Sequence, residues 1–165
     1  MTGENKVDIE QLIEDFQTSR DKQQRAIFAS LYILGNRLQT SFDKIDPSVS
    51  MKQFMVLVMI RQSSERAIDL TSCGKLLGCS RQNIKKLAIA LEAKELIAMN
   101  RSEEDKRKTI LVLTKKGEHY FHSVETLHSH ALATIFNGYS DKELSNFFDI
   151  FMKLYQGVEK LEINE

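Results

Sequence analysis

What this chain has little of narrows its class. Among 165 residues there is one proline, Pro47, and no tryptophan, which suits a chain built mainly of helices. Two cysteines, Cys73 and Cys79, are too few for a disulfide framework of the secreted kind, so a reducing cytoplasm is the expected compartment. Apolar runs such as Phe54–Ile60 are far too short to cross a bilayer, and no membrane partner is expected. The first residues carry no basic-then-apolar leader, so export is not expected either. There is no glycine-rich phosphate loop, no nucleophile elbow and no carboxylate pair on a recognisable scaffold. A non-enzyme that needs no cofactor is therefore expected.

What is present is ordinary globular material: 42% hydrophobic and 28% charged residues, enough to bury a core. Net charge is zero, but its distribution is lopsided. From Met51 to Lys116 there are 14 Lys/Arg against 7 Asp/Glu, and the flanks carry the opposite excess. A concentrated basic middle steers toward a polyanion, while acidic flanks discourage wrapping.

Apolar spacing predicts a short helix over Val7–Phe16, a polar break at Thr18–Gln24, and a longer helix from about Ile27 to Phe42. Asp46-Pro47-Ser48 ends it, because proline disfavours helix before itself. Ser50 is placed to cap a helix over Met51–Gln62 with Phe54, Leu57 and Val58 inward, and Ala67–Leu70 reads as an extended link.

Leu70–Gly117 is the informative stretch. Thr71–Leu77 reads as a short helix stopped by Gly78, which supplies the left-handed backbone of a sharp turn. Gly74, four residues earlier, permits close approach at the turn. Ser80 caps the next helix, whose inward residues are Ile84, Leu87, Ala88 and Leu91. Gln82 and Lys86 then lie opposite the core, flanked by Asn83 and Lys85. These are residue types able to bond base edges in a major groove. Ser80 and Arg81, at the helix start, suit phosphate. Ile89 also faces outward, toward a thymine methyl or a protein neighbour.

A hairpin follows, with strands Ile97–Asn100 and Thr109–Leu113 and a tip at Arg101–Arg107. It carries Arg101, Lys106, Arg107 and Lys108. Asp105, two residues before Arg107, can hold that guanidinium in the orientation a narrow minor groove accepts. Arg101 and Lys108 suit phosphates.

Two helices close the chain. Thr114 caps the first, which runs to about Phe136 and stops near Gly138; Ser140 and Glu143 form a capping box for the second. Leu144, Phe151 and Val158 interleave with Phe147, Leu154 and Leu161 in a seven-residue repeat, widened by Phe148 and Tyr155. Such a stripe serves either its own monomer or, as expected here, a homodimer interface.

The run from Asp105 through Lys106, Arg107, Lys108, Thr109, Ile110, Leu111, Val112, Leu113 and Thr114 to Gly117 resembles the wing signature of the MarR-type transcriptional regulators. Upstream, Cys73-Gly74-Lys75-Leu76-Leu77-Gly78-Cys79-Ser80 is similar to their Leu-Ala-x-x-Leu-Gly-x-Ser turn, with Gln53, Leu57 and Leu91-Glu92 also matching. The resemblance implies a mostly α fold with a small β-wing: a winged helix-turn-helix plus long N- and C-terminal dimerisation helices. The implied division is 1–48 for N-terminal dimerisation helices, 49–116 for the DNA-binding domain and 117–165 for C-terminal dimerisation helices. It further implies a homodimeric repressor on palindromic double-stranded DNA, released by a small-molecule effector or an oxidant. The chain departs from the family at Glu95, where glycine is usual, and at Met99, where arginine is common. Arg101-Ser-Glu-Glu-Asp105 is close to the organic-hydroperoxide-sensing branch, but Phe28-Ala29-Ser30-Leu31-Tyr32 lacks that branch's cysteine.

Other candidate sites have bland readings beside the functional ones. Cys73 and Cys79 occupy aliphatic core positions of the family, yet Cys79 precedes a helix N-terminus, where a thiol can be activated as a redox switch. His119, His122, His128 and His130 share one helix, but no other ligands complete a set, so no metal is expected. Phe28, Tyr32, Phe54 and Tyr120 are candidates for an effector pocket and equally good core residues. An effector-binding or protein-interaction module that keeps the scaffold without selecting DNA stays open as the alternative.

Overall fold

The structure is a computed structural model that describes Phe16 and residues 18–163. These form two compact units, one ending at Glu118 and the other beginning at His119. The helix expected at Val7–Phe16 lies, apart from Phe16, outside the described residues.

In the first unit α1, Arg20–Ile45, starts earlier than apolar spacing indicates. The supposed polar break is its first turn. Ser19 accepts a hydrogen bond from the Lys22 N–H, and Asp21 pairs with Arg25 at 2.9 Å, so capping and ion pairing start the helix in a turn that carries no apolar residue. α1 ends where Asp46 accepts both the Ser48 N–H and its hydroxyl, a local turn that carries the chain past Pro47.

Ser50 and Gln53 form the capping box that opens α2, Met51–Gln62. The buried residues of α2 are Val56, Leu57 and Ile60, whereas Phe54 and Val58 are only half-buried. This corrects the expected inward set. The helix is packed from several sides, by α1, by two further helices and by the sheet, so its burial does not follow one stripe.

Ala67–Asp69 is not a link but a strand, β1. It pairs antiparallel with β3 (Thr109–Leu113), which also pairs with β2 (Ile97–Arg101), giving the order β1-β3-β2. A three-residue segment carries too little alternation to be read as a strand; its register, Ile68 opposite Leu111, is set by the hairpin. Arg101 belongs to β2, opposite Thr109, and not to the tip. Between β1 and β2 lie α3, Leu70–Leu76, and α4, Arg81–Ala93. Leu57, Ile60, Leu70, Cys73, Ile84, Leu91, Ile97 and Leu111 form the core that these elements share.

α5, Lys115–Phe136, begins in this unit and continues into the second. Thr114 caps it by accepting the Gly117 N–H at 3.0 Å. A Cβ on Gly117 would stand 2.1 Å from the Leu96 carbonyl oxygen, so the first turn of α5 reaches the backbone after α4 only because that residue is glycine.

In the second unit, the Ser140–Glu143 capping box opens α6, Asp141–Ile163. Rings of Phe136, Tyr139, Phe147 and Phe151 run round the corner with centroids 5.5–6.3 Å apart. The heptad stripe is open: Leu144, Phe147, Leu154, Val158 and Leu161 are all exposed within the single chain. Among the described residues no helix is long and apolar enough to cross a membrane.

Candidate nucleic-acid interface

The sharp turn between α3 and α4 follows from local chemistry. Asp69 caps α3 by accepting the Thr71 and Ser72 N–H groups at 2.8 and 3.1 Å, and the Ser72 hydroxyl at 2.5 Å. Burial acts to raise the Asp69 carboxyl. The bonds from Ser72 and Thr71, with the charge of Lys108, outweigh it and hold the group below the ordinary carboxylate value. At the other end Gly78 takes φ 61°, and Cys79 N–H reaches back to the Gly74 carbonyl at 2.8 Å, a left-handed helix stop. A Cβ on Gly74 would lie 2.6 Å from the Cys79 carbonyl oxygen. Its smallness therefore serves the turn's own backbone, a closer constraint than the expected approach of two helices.

Ser80 then caps α4, accepting the Asn83 N–H at 3.2 Å. Ile84, Ala88 and Leu91 are fully buried and Leu87 half-buried, so Arg81, Gln82, Asn83, Lys85 and Lys86 stand exposed on the other side. Glu95, the non-glycine residue after α4, does take the left-handed conformation, at φ 62°. Leu96 N–H bonds the Leu91 carbonyl at 3.0 Å and Glu95 N–H bonds that of Glu92 at 2.8 Å. The stop is the same as at Gly78, made without glycine. At the second departure, the Met99 N–H is held by the Glu92 carboxylate at 2.9 Å, which ties β2 to α4.

The hairpin carries the remaining cations. Arg107 Nε lies 3.3 Å from Asp105 Oδ1, and the Arg107 N–H donates to the same oxygen at 3.0 Å, while the guanidinium side chain is 93% exposed. The two residues are thus in contact. Ser102 and Lys108 close the tip through the Ser102 N–H and the Lys108 carbonyl at 3.1 Å.

Helix start and hairpin meet. Arg81, Arg107 and Lys108 line one shallow pocket, with Asp69, Leu70, Thr71 and Thr109, around a volume of about 120 Å³. Arg101 is exposed at the far end of β2 and is not part of it. Of the lining residues three are basic and one, Asp69, is acidic.

The other candidates are placed as follows. Cys73 is fully buried, and burial pushes its thiol up to about 11, which makes it an inert core residue. Cys79 is half-buried and donates its thiol to the Leu77 carbonyl at 3.4 Å. Phe28 and Tyr32 stand out from α1 at 78% and 75% exposure, and Phe54 and Tyr120 are half-buried. His119, His122, His128 and His130 lie along α5; among the described residues no three His, Cys, Asp or Glu side chains converge on a metal position.

Sequence reasoning missed three positioning residues. Asp69 as the α3 cap has the local form Asp-x-x-Ser and was legible. Lys94, which donates to the Ser48 carbonyl and to Gln53 Oε1 at 3.0 Å, and Arg66, paired with Glu118 at 2.6 Å, act across long separations that no local pattern signals.

This arrangement has known counterparts. The family of transcriptional regulators SarA/Rot matches residues 41–124. The transcriptional repressor MprA of Escherichia coli (strain K12) is 27% identical over 109 residues, 66% of this chain and 62% of that protein; the match thus spans under two thirds of its length. A MarR family transcriptional regulator from Streptomyces coelicolor, solved in complex with DNA, superposes with a TM-score of 0.71 at 17% identity, covering 85% of this chain and 92% of that one. Bordetella bronchiseptica BpsR, whose DNA binding is regulated by 6-hydroxynicotinic acid, superposes with a TM-score of 0.68 at 20% identity, covering 79% of this chain and 98% of that one. With the capped turn, the exposed face of α4 and the braced hairpin in place, this chain belongs to the SarA/Rot family of transcriptional regulators and has the MarR-type winged-helix fold.

Proposed function

We propose that this protein is a homodimeric, sequence-specific DNA-binding repressor of the cytoplasm that occupies a palindromic operator and leaves it when a small molecule binds. The observation that carries the reading is the convergence of Arg81, Arg107 and Lys108 on one pocket, where the start of α4 meets the wing. On this reading Gln82, Asn83, Lys85 and Lys86 contact bases, Arg107 held by Asp105 enters the adjacent minor groove, and Ser80, Arg81, Arg101 and Lys108 hold phosphates. Residues 49–116 are the reading domain, and 1–48 and 117–165 the dimerisation segments.

Apolar faces left open on the two helical segments support the dimer. Ile27, Phe28, Leu31 and Leu34 on α1, and Leu144, Phe147, Leu154 and Val158 on α6, are exposed in the single chain. Each is a row that only burial makes favourable. Repression is supported by the likeness to MprA, and release by a small molecule by the likeness to BpsR. Phe28, Tyr32, Phe54 and Tyr120 are the residues assigned to effector binding.

Selection from a pool of randomised duplexes at near-physiological salt, with the full chain, tests this. The expected product is an inverted repeat with half-sites about 34 Å, one turn, apart, bound by a protein that sediments as a dimer. A pool that acquires no shared sequence, or a monomeric protein, overturns the reading.

A further inference from the structure

Gln82, Lys86, Ile89 and Ala93 form one row along α4, opposite Ile84, Ala88 and Leu91, and all four are exposed. The first two turns of that row can donate hydrogen bonds. The third turn cannot. Ile89, 51% exposed, and Ala93 offer only hydrocarbon, and the polar residues on either side of Ala93 are already engaged. Glu92 holds the Met99 N–H, and Lys94 holds Ser48 and Gln53. A single exposed isoleucine is commonplace on a protein surface. This one continues the row assigned to base reading.

An aliphatic side chain there has one apolar counterpart on the floor of a major groove, the C5-methyl group of thymine. Phosphate and the amino and carbonyl edges of the bases would be left unpaired against it. We infer that Ile89, with the small Ala93 leaving it room, reads a thymine methyl and so sets a base preference that the polar residues of α4 do not. The inference rests on the proposed DNA-binding function. Seven residues from Gln82 to Ile89 span about 10 Å at 1.5 Å per residue. This corresponds to about three base-pair steps of roughly 3.4 Å, which places the thymine that distance from the base contacted by Gln82.

The test is a two-way substitution on the duplex selected by wild type. Each thymine of the half-site is replaced in turn by deoxyuridine, which removes only the methyl, and each duplex is titrated with wild type, Ile89→Ala and Ile89→Val. At one thymine, about three base pairs from the position whose preference changes in Gln82→Ala, deoxyuridine is expected to weaken wild-type binding about fourfold, the effect of one buried methyl. The same change should have no effect on Ile89→Ala and an intermediate one on Ile89→Val. Selective binding that no deoxyuridine disturbs, or that it disturbs equally in wild type and Ile89→Ala, overturns the assignment and leaves the DNA-binding function standing. Failure of wild type to select any duplex overturns both.

Discussion

Lys116 Nζ lies 2.8 Å from Glu95 Oε2, so the residue held left-handed after α4 is tied to the first turn of α5. That hydrogen bond and charge hold the Glu95 carboxyl below its ordinary value. Both side chains are well exposed, and the pair adds little against the backbone cost of a non-glycine residue at φ 62°. Glu95→Gly is therefore expected to raise the melting temperature by about 2–4 °C despite losing the pair. Glu95→Ala, which keeps the strain and loses the pair, should lower it. A Glu95→Gly protein that melts below wild type would mean that the pair outweighs the strain.

Three glycines should rank by what a methyl group meets. At Gly78 a Cβ meets nothing within 4 Å, so Gly78→Ala suffers only the left-handed backbone, about 1 kcal/mol. Gly74→Ala drives a methyl to 2.6 Å from the Cys79 carbonyl, and Gly117→Ala to 2.1 Å from that of Leu96. Both obstacles are backbone, so losses of at least 1–3 kcal/mol are expected, largest at position 117. Urea unfolding of the three variants gives the order directly, and Gly78→Ala as the worst of them would contradict it.

Cys73 makes stability fall in alkali. Its thiol is pushed up to about 11 by burial, while an unfolded thiol ionises near 9. The folded-state value is the raised one, so its contribution is complete below pH 9 and is lost as pH rises to 11. Cys73→Ala should remove that loss from the pH profile of unfolding. Iodoacetamide applied to the folded protein should label Cys79 and spare Cys73; the reverse pattern would refute the burial argument.

Asp105 offers a test of sign. Deleting a carboxylate beside DNA strengthens binding if charge alone matters. If Asp105 orients Arg107, as its 3.3 Å contact indicates, Asp105→Ala should weaken duplex binding several-fold with an unchanged salt slope. Arg107→Ala should weaken it further and reduce the slope by about 0.9. Tighter binding by Asp105→Ala would rule out the brace.

Most of the fold was legible because local signals and burial agree. Ser50, Ser80, Thr114 and Ser140 each cap the helix that follows, and Gly78 stops α3 where a turn was expected. The misses have physical causes. β1 is fixed by pairing with β3, not by its own three residues, and α1 starts in a polar turn that apolar periodicity ignores. Within the site, the positions along α4 followed from helical spacing. Its meeting with the hairpin through Arg81, Arg107 and Lys108 depends on the sheet, which no local motif encodes.

Competition titration of the full chain on its selected duplex, at about 150 mM salt and read by fluorescence anisotropy, bears most directly on the whole account. A preference of at least 10³ over a scrambled duplex is expected, lost in the triple variant Gln82→Ala, Asn83→Ala, Lys86→Ala, whereas Arg81→Ala with Lys108→Ala should weaken both duplexes alike. Equal affinity for the two duplexes would contradict it.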